Sequence, residues 1–332
     1  AAMILPPTFN RRQQRGVALI SVLLIVVVAT VLGVAMSREQ NYAITRARLF
    51  LEQSRVQQYA MGGEELARQI LHADFVDAPQ KDTLVEAWAQ RGQTFEFEDG
   101  EVHLRIEDLQ GRFNLNALSD AATNNLVARG QLTNLLLQQG LDPSLVDRVA
   151  DWIDNNQTVR PLGAEDFDYL GLERPYRTSG GLLADSSELR LLLDMAPDTL
   201  AVLLPLVSTL PDPNAGINVN TAAPALLQAL APALTAEQAE ALADSRQGID
   251  GYDNVQAFMQ DDALAGQNIP VAGLSVQSGY FQVSIRARYQ ARFGYLTSII
   301  QRDATDGSLY VIYRDLSKKV YPDNPDSLDN PG

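Results

Sequence analysis

The chain has 332 residues and a formal net charge of −15 at pH 7, although its first 50 residues contain six arginines and one glutamate. The acidic excess therefore lies in the rest of the chain, which is a poor match for nucleic acid or anionic lipid surfaces. Cysteine is absent, so disulfides, thiol catalysis and cysteine metal sites are excluded. His72 and His103 are the only histidines, and no phosphate-binding loop, dinucleotide fingerprint or G-x-S-x-G motif occurs, which argues against an enzyme.

The first predicted element is a membrane-spanning helix over residues 17–36. None of these residues is charged, and the hydroxyls of Ser21 and Thr30 are the only polar side-chain groups among them. A helix rises about 1.5 Å per residue, so this segment is long enough to cross the roughly 30 Å apolar core of a bilayer. Arginines precede the segment and no acidic residue does, which predicts a cytoplasmic amino end and translocation of the rest of the chain.

Three interpretations fit this segment. A secretory signal would be cut after small residues, and residues 33–35 offer such a site, but the apolar run is long and nothing breaks the helix afterwards. An uncut signal anchor fits the physics equally well. The third interpretation rests on Arg15-Gly16-Val17, where a glycine separates a basic leader from the apolar run. This pattern resembles the processing site of type IV pilins and pseudopilins, which implies removal of residues 1–16 by a prepilin peptidase that cuts between Gly16 and Val17.

The next predicted element, over residues 37–75, is an amphipathic helix that continues the membrane helix. No proline occurs from residue 37 to residue 72, and apolar side chains recur at spacings of three and four, at Tyr42, Leu49, Val56, Tyr59, Leu66 and Ile70. We expect one continuous rod, with a weak point or bend at Gly62-Gly63. A membrane anchor with a juxtamembrane stalk would show the same periodicity.

After a helix break at Ala78-Pro79, the sequence predicts a short helix around residues 83–90 and then a β-hairpin. Residues 94–98 and 101–107 alternate in polarity around a turn at Asp99-Gly100. Residues 280–289, 293–302 and 309–314 read as three more strands, and the polar, proline-rich residues 321–332 are predicted to be disordered. We therefore predict a sheet domain made of residues 76–112 and 276–320.

The long middle of the chain, residues 113–275, predicts an all-helical domain inserted into the sheet domain. Its two related units each begin with an Asn-x-Asn motif, in residues 111–118 and 215–222, and each motif is followed by two helical stretches. We expect Asn116 and Asn220 to cap the first helix of each unit. The second unit also resembles DNA-binding helix-hairpin-helix modules, but its turn lacks glycine and its surroundings are acidic, so we expect no nucleic acid partner.

Carboxylates in the insertion suggest a cation site. Asp147, Asp151 and Asp154 fall three or four residues apart on one face of a predicted helix. Further oxygen donors follow at Asn156, Glu165, Asp166 and Asp168. Calcium takes about six to eight oxygen ligands of these kinds, so we predict a calcium site here, with a solvated acidic face as the open alternative. A weaker candidate group, for which the solvated face is favoured, consists of Asp250, Asp253 and Asp261.

Motifs spread over the chain carry a family resemblance: Arg15-Gly16-Val17, residues 111–118, Asp151-Trp152-Ile153-Asp154, residues 163–166 and residues 175–177. Together they resemble the K-type minor pseudopilins (the GspK family) of bacterial type II secretion systems, over essentially the whole chain. The resemblance implies an α+β, type IV pilin-like fold, with a long N-terminal helix, an antiparallel sheet and a large inserted all-helical domain that binds calcium.

The resemblance also implies a place at the tip of the pseudopilus, with a single-pass inner-membrane helix, a periplasmic head and a methylated processed chain. The implied partners are the I-type and J-type minor pseudopilins, the major pseudopilin indirectly, the prepilin peptidase and the inner-membrane assembly platform. Pilins usually carry Glu at the fifth mature position, which pairs with the terminal amine of a neighbouring subunit, whereas this chain has Ser21. A tip subunit has no neighbour ahead of it, so a buried carboxylate there would bring no gain.

The alternative function is a membrane-anchored periplasmic binding protein whose helical insertion recognises a partner or substrate. The two functions differ at Gly16, because a filament subunit requires cleavage there and a simple anchor does not.

Overall fold

The computed structural model describes residues 14–90 and 92–317, which divide into a first compact unit ending at Arg55 and a second beginning at Val56. In chain order, their helices and strands are α1 (Gln14–Asp77), β1 (Gln93–Phe97), β2 (Gly100–Asp108), β3 (Phe113–Asn114), α2 (Asn125–Gln138), α3 (Leu145–Ile153), α4 (Asp166–Leu170), α5 (Pro197–Leu203), β4 (Val207–Ser208), β5 (Ile217–Asn218), α6 (Pro224–Leu230), α7 (Ala236–Gly248), α8 (Val255–Met259), β6 (Leu274–Ser275), β7 (Tyr280–Tyr289), β8 (Arg292–Arg302) and β9 (Leu309–Asp315). Short 3-10 helices cover Ala87–Ala89, Leu115–Leu118, Ser186–Leu191, Leu204–Leu206 and Asp262–Leu264.

Helix α1 is a single helix of 64 residues that ends immediately before Ala78-Pro79. The predicted weak point at Gly62-Gly63 is not a break, and the structure explains the second glycine differently. A Cβ on Gly63 would lie 2.7 Å from Cγ1 of Val102 on β2, so the helix and the sheet are in close contact at this point. A Cβ on Gly62 would meet no atom within 4 Å.

The main sheet has five antiparallel strands in the order β1-β2-β7-β8-β9. The predicted hairpin and the three predicted C-terminal strands are confirmed. Burial of Val56, Ala60, Ala67 and Leu71 on α1 explains the packing, because these residues share one helical face and join the apolar face of the sheet in one core.

The prediction of a short helix around residues 83–90 is wrong, because only a 3-10 turn forms there, at Ala87–Ala89. The carboxylate of Glu86 accepts hydrogen bonds from the backbone N–H of Thr83 at 2.9 Å and from the indole N–H of Trp88 at 2.7 Å. The Trp88 ring is buried edge-on against Phe281 of β7. Burial of this large side chain outweighs the weak local preference for an α-helix.

A helical insertion joins β2 to β7 and contains the largest apolar core cluster of the described residues. Helices α2 and α6, one from each predicted unit, pack against each other, and the side chain of Asn134 donates to the backbone carbonyl of Ala229 at 3.1 Å. The insertion is not entirely helical, because β3 pairs with β4 and β5 pairs with β6 in two short parallel ladders. Each ladder pairs an Asn-x-Asn motif with a distant segment, which sequence periodicity does not reveal.

The prediction that Asn116 and Asn220 cap helices is wrong. The Asn116 side chain accepts from the backbone N–H of Leu183 at 2.9 Å and donates to the carbonyl of the same residue at 2.9 Å. Asn220 makes the same pair of bonds with the backbone of Tyr252, at 2.7 and 3.0 Å. Both amides are fully buried, so each second asparagine fastens a remote loop to its motif.

Candidate metal centre and membrane segment

Three carboxylates of the insertion converge on one point. An oxygen atom from each of Asp151, Asp154 and Glu165 lies within 4.8 Å of the others. Asp151 is 0%, Asp154 6% and Glu165 1% exposed. Carboxylates buried this deeply repel one another and are costly to ionise unless a positive charge compensates them.

Two helix ends bring these carboxylates together. Asp151 lies in the last turn of α3, Asp154 follows the end of that helix, and Glu165 precedes the first residue of α4. Neighbouring Trp152 is buried against Tyr169 of α4, with ring centroids 5.2 Å apart, which fixes the end of α3 against α4. The connecting loop passes directly over the site, because a Cβ on Gly163 would lie 1.7 Å from a carboxylate oxygen of Asp151.

Within the described residues, Arg160 supplies the one positive charge that pairs with this cluster, and it pairs with Asp151 and Asp154. Its Nη1 atom donates to Oδ1 of Asp151 at 2.6 Å and also to Oδ2 of Asp154. Its backbone N–H donates to the other oxygen of Asp151 at 3.1 Å. Burial opposes the charge, but the two carboxylates raise the pKa of Arg160 above its ordinary value, so the guanidinium is charged at neutral pH.

Glu165 has no such compensation. Neither of its carboxylate oxygens has a hydrogen-bond partner among the described residues. Burial, reinforced by the negative charges of Asp151 and Asp154, raises the pKa of Glu165 to about 7. Burial also raises the pKa of Asp151, although Arg160 acts in the opposite direction. When all three carboxylates are ionised, the site therefore carries more negative charge than Arg160 can balance.

The other residues predicted as ligands have separate partners. Asp147 pairs with Arg129 and accepts from the backbone N–H of Leu162 at 3.2 Å. Asp166 pairs with Arg177 at 3.0 Å. The remaining two stabilise local backbone: Asp168 accepts from the N–H of Glu165 at 3.0 Å, and Asn156 accepts from the N–H of Thr158 at 2.8 Å. The structure thus brings together three of the seven predicted oxygen donors.

The weaker predicted group does not converge within the described part of the chain. Asp250 and Asp253 lie 3.8 and 2.9 Å from the Nζ atom of Lys81. Asp261 instead accepts from the hydroxyl of Tyr252 at 2.6 Å and from the backbone N–H of Ala263 at 2.9 Å. A lysine and local hydrogen bonds account for these carboxylates.

A second carboxylate cluster, which the sequence did not reveal, joins Asp74, Asp82 and Glu86 at the carboxyl end of α1. Arg302 of β8 pairs with Asp74 at 3.1 Å and with Asp82, and its guanidinium lies over the Phe281 ring at 4.7 Å from the centroid. Arg302 is more than 200 positions away in the sequence, so no local spacing could have indicated this cluster.

The donor set of Asp151, Asp154 and Glu165 fits a hard divalent cation such as calcium. All three ligands are oxygens, and one oxygen of buried Glu165 lies within 4.8 Å of an oxygen of each of the other two carboxylates. Such an ion would contribute charge neutralisation and a cross-link between the end of α3 and the start of α4. The residues that would hold it are these three.

In the first unit, α1 includes the one helix segment of the described residues that is long and apolar enough to cross a membrane, with a mean hydropathy of 3.1 over its best window. The helix begins at Gln14, so the backbone of Gly16 and Val17 is helical. The hydroxyl of Ser21 donates to the backbone carbonyl of Val17 at 2.9 Å. The one polar group at this position is therefore satisfied within its own helix.

The long helix, the antiparallel sheet packed on its second half and the helical insertion define a pilin-like subunit. Two family profiles described as type II secretion system (T2SS), protein K match residues 111–212 and 217–277. A Pseudomonas aeruginosa protein named type II secretion system protein K is 36% identical over 324 residues, which cover 94% of this chain and 96% of that protein. The protein of the same name from Klebsiella pneumoniae is 36% identical over 84% of this chain and 91% of its own length.

The crystal structure of the GspK-GspI-GspJ complex from the type 2 secretion system of enterotoxigenic Escherichia coli contains a similar chain. The TM-score is 0.70 at 25% identity, over 82% of this chain and all of that one. This chain belongs to the type II secretion system protein K family, whose fold is pilin-like with a helical insertion.

Proposed function

We propose that this protein is a minor pseudopilin that caps the tip of the type II secretion pseudopilus and helps to initiate its assembly, for export of folded proteins from the periplasm across the outer membrane. The observation that carries the proposal is the attachment point of the insertion, which lies beside the carboxyl end of α1. In this role the chain is a structural subunit and carries out no catalysis.

Contacts around the attachment point support this argument. The insertion starts after β2 and ends before β7, and these two strands are neighbours in the sheet. At this point the backbone N–H of Leu109 donates to the carbonyl of Tyr280 at 3.0 Å. The segment after α1 joins the same place, where the N–H of Asp82 donates to the carbonyl of Val276 at 2.8 Å. The apolar segment is at the amino end of the same helix. In a filament whose helices start in the membrane, a bulky domain at the carboxyl end would block addition of a subunit ahead of it.

The membrane segment has a matching role in this proposal. Cleavage between Gly16 and Val17 would leave Val17 as the amino terminus, which is then methylated, and the apolar helix would assemble in the inner membrane with the head in the periplasm. Ser21 needs no partner from a neighbouring subunit because its hydroxyl already bonds to the carbonyl of Val17. A carboxylate at this position would need such a partner, because an unpaired charge is costly in lipid.

The partners of this proposal are the I-type and J-type minor pseudopilins, and the similarity to the E. coli protein of the GspK-GspI-GspJ complex supports them. The prepilin peptidase, the inner-membrane assembly platform and, indirectly, the major pseudopilin complete the set.

Labelling of overproduced pseudopili tests the tip position directly. Gly140 lies in an exposed turn with no atom within 4 Å of its Cβ position, so an epitope can be inserted in this turn. Electron microscopy with an antibody should find one label at one end of each filament. Labels distributed along the shaft, or filaments without any label, would contradict the proposal.

We also propose that Asp151, Asp154 and Glu165 bind calcium. In the full chain purified in detergent, a chelator should lower the melting temperature by several degrees, because ligand binding to the folded state alone adds about 2.7 kcal/mol at 100 times the dissociation constant. Replacement of Glu165 by Gln should abolish the shift, and replacement of Asp253 by Asn should preserve it. An unchanged melting temperature on chelation of the wild type would favour a site balanced by Arg160 alone.

A further inference from the structure

The position of Arg160 has a consequence for the calcium site. The Nη1 atom of Arg160 lies 2.6 Å from Oδ1 of Asp151 and also contacts Oδ2 of Asp154. Calcium binds carboxylate oxygens at about 2.3–2.6 Å, so an ion that used these two oxygens would take the same position. A guanidinium nitrogen and the ion cannot occupy that position together.

We propose that Arg160 is a built-in competitor of the divalent cation: its guanidinium holds Asp151 and Asp154 together in the ion-free chain and withdraws when the cation binds. The inference rests on the proposed calcium site and concerns the regulation of its affinity. Arg160 would then keep the insertion folded before calcium is available and set the concentration at which calcium enters.

Glu165 explains why the exchange would favour the divalent cation. Arg160 contacts two of the three carboxylates, and both oxygens of Glu165 are left without a partner among the described residues. A divalent ion at the centre reaches all three carboxylates and balances one more charge than the guanidinium does. The site is therefore held together by Arg160 and completed by calcium.

The surroundings of Arg160 allow its side chain to move without unfolding the loop. Its side chain is 22% exposed, so it is not fully enclosed by the protein. Its second terminal nitrogen lies 3.5 Å from the carboxylate of Asp120, whose side chain is 65% exposed and offers an alternative partner. The backbone N–H of Arg160 remains bonded to Asp151 at 3.1 Å, which keeps the loop in place while the side chain leaves.

Calcium titration of the full chain in detergent, by isothermal calorimetry, tests the role of Arg160. Replacement of Arg160 by Gln should tighten calcium binding at least about tenfold, because the wild type binds only through the fraction of molecules whose guanidinium has withdrawn. The same replacement should lower the melting temperature in chelator, and calcium should restore it. Replacement by Lys, which pairs with one carboxylate and keeps the ion-free chain folded, should give an intermediate affinity.

Arg177→Gln is the matched control, because the Arg177 side chain is exposed and pairs with Asp166 at 3.0 Å but with none of the three carboxylates of the site within the described residues. Its calcium affinity should stay within about twofold of the wild type, as expected for an exposed pair. Unchanged or weaker binding in both Arg160 variants would overturn the competitor role and leave the calcium site standing. If neither the wild type nor R160Q binds calcium, the calcium site itself is refuted.

Discussion

At the residue scale, the two Asn-x-Asn motifs show how single amides organise the insertion. In each motif the first asparagine accepts from the backbone N–H of the second, from Asn116 to Asn114 at 3.2 Å and from Asn220 to Asn218 at 2.9 Å. The second asparagine then binds both backbone groups of a residue far away in sequence. The motif is thus a connector between distant segments in both units.

Replacement of Asn116 by Ala should therefore lower the free energy of unfolding by about 3 kcal/mol, since it leaves buried backbone groups without partners. Those groups are the N–H and carbonyl of Leu183 and the carbonyl of Leu210, each 2.9 Å from the Asn116 side chain. Urea unfolding followed by the fluorescence of the two buried tryptophans, Trp88 and Trp152, measures the change. Asn125→Ala is the control, because that side chain makes a single bond of 3.5 Å to Ser119; equal losses in both variants would contradict the connector role.

At the scale of elements, the contact between α1 and the sheet combines a close apolar approach with ion pairs, one of which joins buried Glu64 to Arg314. Glu64 is 4% exposed and accepts two bonds of 2.8 Å from Arg314 of β9. Burial opposes the charge of Glu64, but Arg314 and the hydroxyl of Ser298 hold its pKa below the ordinary value. One residue earlier, Gly63 allows the helix to approach Val102 and Ile285.

The adjacent glycines of α1 provide a matched pair for testing this packing. Gly62→Ala should stabilise the protein by about 0.5–1 kcal/mol, because alanine is the better helix former and its methyl group meets nothing. Gly63→Ala should destabilise it by about 1–3 kcal/mol, because its methyl group would overlap the side chain of Val102. Chemical unfolding of both variants measures the change in the free energy of unfolding, which should have opposite signs in the two. Stabilisation by both would show that α1 is not held against the sheet at this position.

At the scale of the whole molecule, a polar network connects the sheet domain to the insertion. Asp108, at the end of β2, accepts from the hydroxyl of Ser278 at 2.6 Å and from the amide of Asn218 at 3.2 Å. Burial raises the pKa of Asp108 to about 6, against the effect of these bonds. Burial and the nearby carboxylates of Glu86 and Asp82 raise the pKa of Asp74 as well.

These shifted carboxyls predict that the protein becomes more stable as the pH falls from 8 to 5. The ordinary pKa of both groups is 3.8, so in this range the folded chain binds more protons than the unfolded chain. The melting temperature in chelator should rise by a few degrees over this range. Asp74→Asn should reduce the change of melting temperature with pH in the upper part of this range, and the asparagine still offers an acceptor for Arg302. A profile that falls with acidification, or one that the substitution leaves unchanged, would contradict this origin.

The sequence predicts those parts of the molecule whose signals are local. The period of α1, the alternation of the hairpin and the turn at Asp99-Gly100 all depend on neighbours within a few residues. In the candidate metal centre, sequence spacing predicts that Asp151 and Asp154 lie close together. The contact made by Arg160 and the lack of a partner for Glu165 depend on the conformation of the loop between α3 and α4, which spacing does not reveal. Arg302 and the loops bound by Asn116 and Asn220 lie too far along the chain for spacing to reveal them, and tertiary contacts decide their positions.

A chain that enters a pseudopilus as a pilin-like subunit needs a processed amino terminus. Mass spectrometry of the protein recovered from membranes should therefore give Val17 as the first residue. Gly16→Ala, or deletion of the prepilin peptidase, should leave residues 1–16 attached and stop secretion. A membrane-bound chain that retains residues 1–16, or a chain cut after residue 35, with secretion intact, would contradict the account.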